Sequence, residues 1–151
     1  MTTFRGAGLL LAISIAAIGI PAYRAMSATL ESSAPRRCPE EGQAINDMCQ
    51  VSFVSLLANP SKYDGLEILT SGYVHFEFEG NGIYLHKDDY DNSLYKNGLW
   101  ISLATNVPQK PCQNSYALVI GTFRAGSRGH MGLWSGSIEE ATRCFALPRR
   151  K

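Results

Sequence analysis

The stretch LEILTSGYVHFEFEGNGIYLH, residues 66–86, decides the fold. Across residues 67–79 one parity reads Ile68, Thr70, Gly72, Val74, Phe76, Phe78, and the other reads Leu69, Ser71, Tyr73, His75, Glu77, Glu79. A period of two is that of a half-buried strand, with the first set facing a core. Glu79-Gly80-Asn81-Gly82 then offers residues that reach positive φ at little cost, which predicts a tight two-residue turn and a return strand. Two registers fit. With Gly80 and Asn81 as the turn, His75 lies opposite His86 and Phe76 opposite Leu85; with Asn81 and Gly82, Glu77 lies opposite His86 and Phe78 opposite Leu85. They differ by two residues, so both keep the same faces. Val74, Phe76, Phe78, Ile83 and Leu85 point inward, while Tyr73, His75, Glu77, Tyr84 and His86 share an outer face. Gly72 predicts a bulge or coil that lets one long strand serve two sides of a small barrel.

Around this hairpin, 151 residues at 45% hydrophobic content suit one globular domain. Arg5 followed by GAGLLLAISIAAIGI at 6–20 has the charged start and apolar core of a secretory signal and is short for a membrane span. Cleavage is expected after Ser27 or Ala28; the competing reading is an uncleaved anchor. The first cysteine, Cys38, follows Pro35-Arg36-Arg37, so no lipobox precedes it. Net charge is +1 for the whole chain and −1 without Arg5 and Arg24, 12 basic residues against 13 acidic. That balance argues against a broad nucleic-acid surface. The expected organisation is a signal peptide at 1–28, a linker with a Cys38/Cys49 loop at 29–50, a folded domain at 51–147 and a basic tail at 148–151.

Export places Cys38, Cys49, Cys112 and Cys144 in an oxidising compartment, where disulfides prevail over metal-thiolate sites. Cys38 and Cys49 close a short local loop, and Cys112 and Cys144 flank a second hairpin. These are the expected pairs; the alternative is four free thiols in an unexported protein.

Ser52 caps an expected helix at 53–59 with Phe53, Leu56 and Leu57 on one side, and Pro60 to Gly65 is turn chemistry. Residues 86–98 read as a polar loop. Its Asp88, Asp89, Asp91 and Asn92 are oxygen ligands of the kind calcium takes, without EF-hand spacing, and a solvated connection is the plainer reading. Leu99, Ile101 and Leu103 line one face of a third strand, with Trp100 on the other as a ligand platform or a second-layer core residue. After a connection at 104–115, residues 116–123, YALVIGTF, form a central strand. A glycine-rich loop at 124–132 leads to a last strand running to about Arg143. Ser137 with Glu140 also fits a helix capping box there, but a strand brings Cys112 and Cys144 together.

One short N-terminal helix and five strands make a mainly β, five-stranded OB-like barrel. The combination of ANPSKYDG, GYVHFEFEGNGIYLH, NGLW, GTF and GHMGLWSGSI across residues 51–144 also resembles a group of small exported bacterial proteins of uncharacterised function with OB-like folds. The resemblance implies fold and export; it brings no catalytic residues.

In such barrels ligands lie across strands 2 and 3, between the first-hairpin loop and the loop joining strands 4 and 5. Here those loops are 79–82 and 124–132. The expected ligand or partner surface is therefore Tyr73, His75, Glu77, Tyr84, His86, Trp100, Arg124, Arg128 and His130. Guanidinium groups beside aromatics suit an anionic or planar partner, the plainer reading being a glycine-rich tip with solvated arginines. His75, His86 and Glu77 are of ligand type for zinc, yet lack a fourth member, and solvated or interface residues are expected instead. No nucleophile elbow, P-loop or dinucleotide fingerprint occurs. The sequence therefore reads as an exported binding module contacting a protein or envelope component, with no cofactor, no metal and no catalysis. The alternative is a small hydrolase acting on cell-wall or sugar substrates through Glu77, Glu79 or His130.

Overall fold

The computed structural model describes residues 37–39, 43–45 and 48–148. The expected signal peptide, nearly all of the linker and Arg149 to Lys151 of the basic tail lie outside them. Among the described residues, no helix is long and apolar enough to cross a membrane.

Five strands close the barrel: β3 (Glu67–His75), β4 (Gly82–Tyr84), β5 (Gly98–Leu103), β6 (Ser115–Arg124) and β7 (Ser137–Ala146). The order is β3-β4-β5-β7-β6, and pairing of β6 with β3 closes it. The β5–β7 pair is parallel and the other barrel pairs are antiparallel. This is the expected OB-like architecture, and closure leaves the barrel without free edges. β3 serves two sides, meeting β4 through Tyr73 and Val74 and β6 along most of its length. Gly72 supports this by close approach: a Cβ there would lie 2.5 Å from the Tyr84 carbonyl oxygen.

The segment read as a disulfide loop carries two short strands, β1 (Gln43–Ile45) and β2 (Met48–Gln50), with β2 parallel to β3 through Cys49 opposite Ile68. Three-residue strands are too short to show a period. Helix α1 (Phe53–Ala58) follows as expected, with the Ser52 hydroxyl accepting from the Ser55 amide. Helix α2 (Pro60–Tyr63) turns the chain into β3.

Phe53 and Leu56 of α1 join Ile68, Val74, Ile83, Leu99, Ile101, Val119, Phe123 and Ile138 in one buried core. Each such side chain contributes about 1.5–3 kcal/mol by leaving water. Both expected disulfides are present, Cys38–Cys49 and Cys112–Cys144, with Cα separations of 5.2 and 5.8 Å. The two bridges accord with an oxidising environment.

Three expectations are corrected. The hairpin pairs Tyr73 with Tyr84 and His75 with Gly82, so neither tight-turn register occurs. β3 stops at His75 because a side chain replaces the ladder. The Gln113 amide accepts from the Phe76 N–H at 2.7 Å and donates to the Phe76 carbonyl at 3.0 Å. The chain then turns at Phe78 and Glu79, the latter at φ 58°, and Phe78 is 92% exposed rather than in the core. Second, the polar loop at 86–98 contains helix α3 (Lys87–Asp91), whose N-cap His86 and N3 Asp89 bond each other's backbone reciprocally. Third, the last strand begins at Ser137 rather than near Leu133 and runs on to Ala146. The capping-box pattern loses here because both neighbouring strands offer ladders; Ser137 Oγ donates to Glu139 Oε1 instead.

Candidate functional site

The face of β4 and β5 where an OB barrel ordinarily receives ligand is floored by one tyrosine. Tyr84 is 1% exposed and its ring lies flat over two glycines. A Cβ at Gly82 would stand 2.6 Å from Tyr84 Cε2, and one at Gly98 2.7 Å from Cδ1. Only bare backbone allows the ring that position. Burial pushes the Tyr84 hydroxyl up to about 12, with the Trp134 indole N–H beside it acting in the opposite direction.

Residues 125–136 form a strap across this face. Gly129, at φ 62°, rests directly on the indole of Trp100, where a Cβ would lie 2.6 Å from Cδ2. Trp134 is 1% exposed, meets Trp100 edge-on at 4.9 Å and packs on Tyr95 at 5.2 Å. Lys96 donates to the Gly132 and Trp134 carbonyls, and Ser135 Oγ donates to the Lys96 carbonyl. The strap then reaches the first-hairpin loop, where His130 Nε2 lies 3.4 Å from Glu79 Oε2. The expected loops therefore do meet. By meeting they roof the face between them.

α3 covers the other part of the hairpin's outer side. Tyr90 stacks on His75 at 4.1 Å and lies 5.9 Å from Tyr73 and 5.8 Å from Tyr84. His75 also bonds Asn114 Oδ1 and Tyr90 Oη, and Glu77 stands 3.4 Å from its Nε2. Desolvation raises the hydroxyl pKa values of Tyr73 and Tyr90 as well. Beside this cluster an open cleft of about 430 Å³ is lined by Glu77, Tyr90, Asp91, Ser93 and Tyr95.

The chain matches no protein-family model, no curated protein and no solved structure.

Of the nine expected surface residues, the structure brings Tyr73, His75, Glu77 and Tyr84 together, with the two tyrosines buried rather than offered to a ligand. Trp100 is half-buried under the strap and packs against Trp134 and Gly129. His130 joins the rim through Glu79; Arg128 is exposed on the strap. Arg124 pairs with Glu139 on β7 at 3.8 Å. His86 separates from His75, because the chain leaves β4 at Tyr84 and His86 caps α3 beside an apolar groove lined by Val54, Leu57 and Leu85. Among the described residues, no three His, Cys, Asp or Glu side chains converge to hold a metal. Two of the three aspartates considered for calcium are engaged: Asp89 accepts from the His86 amide and from Asn97, and Asp91 pairs with Lys87. Sequence reasoning missed Tyr90, Tyr95, Trp134 and Asn114. Aromatics inside a polar loop were the available signal for the first two.

What remains open is the rim. Phe78 is 92% exposed and Met131 82% exposed, and each adjoins a member of the Glu79–His130 pair. Glu79 and Met131 hold left-handed backbone at φ 58° and 52°. A non-glycine residue there costs of order 1 kcal/mol and persists where the surroundings over-determine it.

Proposed function

We propose that the protein is an exported binding module, of the kind its motifs resemble, that engages a protein of the cell envelope or secreted space through this rim. The observation that carries the reading is the pair of almost fully exposed apolar side chains, Phe78 and Met131, on two loops pinned together by Glu79 and His130. Large apolar groups held out by strained backbone suit insertion into pockets of a partner, the anchor pattern of protein interfaces. Arg128 and Glu77 supply a charged surround on the same loops. Burial of the usual ligand face turns the reading away from an oligosaccharide or nucleic acid lying across the barrel. Catalysis is not part of the proposal.

The test is capture from envelope extract. Wild-type protein is expected to retain a stoichiometric partner that Phe78→Ser with Met131→Ser releases, at unchanged Tm. Retention by the double variant would sink the rim reading. Turnover of wall fragments that Glu77→Gln abolishes would favour the hydrolase instead.

A further inference from the structure

Sulfur in this molecule is unevenly exposed. Cys38, Cys49, Cys112 and Cys144 are all held in disulfides, so among the described residues no thiol is left to meet an oxidant. Met48 on β2 is half-buried and stands opposite Ile45 of β1. The indoles, which oxidants also attack, are sheltered: Trp134 is 1% exposed and Gly129 rests on the ring of Trp100. Met131, at 82% exposed, is the thioether that the fold offers to solvent.

The backbone that carries it is fixed. Met131 lies in a short 3-10 turn at His130–Gly132 and keeps φ 52°, with Gly129 and Gly132 also left-handed at 62° and 69°. Lys96 donates to the Gly132 carbonyl, and His130 Nε2 lies against Glu79. The exposed sulfur is therefore held on the rim, in the same place as the apolar contact that the rim presents.

We infer that Met131 is a reversible oxidation site at which a peroxide weakens the rim. The functional consequence rests on the rim reading above; the chemistry of the site does not. A lone pair on Met131 Sδ attacks one peroxide oxygen, and the S–O bond forms as the O–O bond breaks. The departing hydroxide takes the proton left on the transferred oxygen and leaves as water, so sulfur is oxidised and the peroxide reduced. A flexible apolar thioether becomes a polar, chiral sulfoxide, and methionine sulfoxide reductase reverses the change. Buried in an apolar pocket of a partner, the new oxygen lacks a hydrogen bond, which weakens binding about tenfold or more. Phe78 has no such chemistry, so the oxidised rim keeps one anchor and loses the other.

Treatment of the full chain with hydrogen peroxide, removed before assay, tests the site and its consequence separately. Fragment-ion mass spectrometry is expected to show oxygen added at Met131 severalfold faster than at Met48, with both disulfides intact. In capture from envelope extract, oxidised wild-type protein is expected to retain about tenfold less partner at unchanged Tm, and methionine sulfoxide reductase to restore it. For Met131→Leu the ratio of capture before and after peroxide is expected to stay near one, whatever level it starts from. Equal oxidation of Met131 and Met48 would overturn the site, and peroxide-dependent loss of capture in Met131→Leu would overturn its role. Undiminished capture by oxidised wild type, where Phe78→Ser with Met131→Ser still releases the partner, would overturn the switch and leave the rim reading standing. Retention by that double variant as well would remove both.

Discussion

Tyr84 shows how one side chain organises this surface, and its acidity gives a direct readout. Its hydroxyl is pushed up to about 12 from 10.0, chiefly by burial. Below pH 10 neither the folded nor the unfolded chain ionises it. Between 10 and 12 the unfolded chain gives up the proton and the folded chain holds it, so stability falls as pH rises through that window. Tyrosinate absorbance at 295 nm is expected to show a late-titrating component that Tyr84→Phe removes, together with a shallower loss of stability above pH 10. An unchanged titration curve in Tyr84→Phe would refute the assignment. The glycines beneath the ring give a second expectation: Gly98→Ala places a methyl 2.7 Å from Tyr84 Cδ1 and must displace the ring. Overpacking of this kind costs about 1–3 kcal/mol, measurable by urea denaturation, whereas Gly126→Ala meets nothing within 4 Å. At this scale the sequence told parity and little more. The actual hairpin register departs from both expected ones by an even number of residues, so inside and outside held for Ile68, Val74 and Ile83. Phe78 escaped because the Gln113 side chain, distant in sequence, ends the ladder.

At the scale of elements, local pattern competed with what neighbours offered. α1 was legible because its cap and apolar spacing are both local. β7 was ambiguous on local grounds and became a strand because β5 and β6 each left an edge for it. α3 was hidden by its polar composition; its packing comes from Tyr90 on His75 and from the Asp89 hydrogen bonds rather than from an apolar stripe. For the same reason the expected outer face of the hairpin holds together for Tyr73, His75, Glu77 and Tyr84 but loses His86 to the start of α3, and nothing in residues 66–86 announces that α3 and the strap cover it. The strap has its own consequence. His130→Ala removes the contact to Glu79 but leaves the Lys96 bonds and buried Trp134. Global stability is expected to change by less than about 1 kcal/mol, as for exposed ion pairs. Amide exchange at residues 128–132 is expected to quicken, while that of β6 stays constant. Equal quickening in both would mean the strap does not move apart from the barrel.

For the molecule as a whole, closure and the covalent ties act at different places. The ladders complete the barrel around the Ile68, Val119 and Ile138 core, but residues 104–114 join β5 to β6 without a helix or strand to hold them. Cys112, fully buried, anchors that connection to Cys144 on β7, and the anchored connection in turn carries Gln113, which ends β3, and Asn114, which bonds His75. The sequence separation of 32 residues implies a chain-entropy contribution of about 3–4 kcal/mol. Cys38–Cys49 spans only 11 residues and ties down β2, outside the barrel. Replacing Cys112 and Cys144 by Ala is therefore expected to cost several kcal/mol in urea unfolding and to loosen the first-hairpin loop, seen as faster proteolysis near Phe78. Replacing Cys38 and Cys49 is expected to cost less and to leave that loop intact. If both losses proved equal and neither reached residues 76–81, the bridge would be a simple chain restraint, and the coupling from Cys112 through Gln113 to the rim would be wrong.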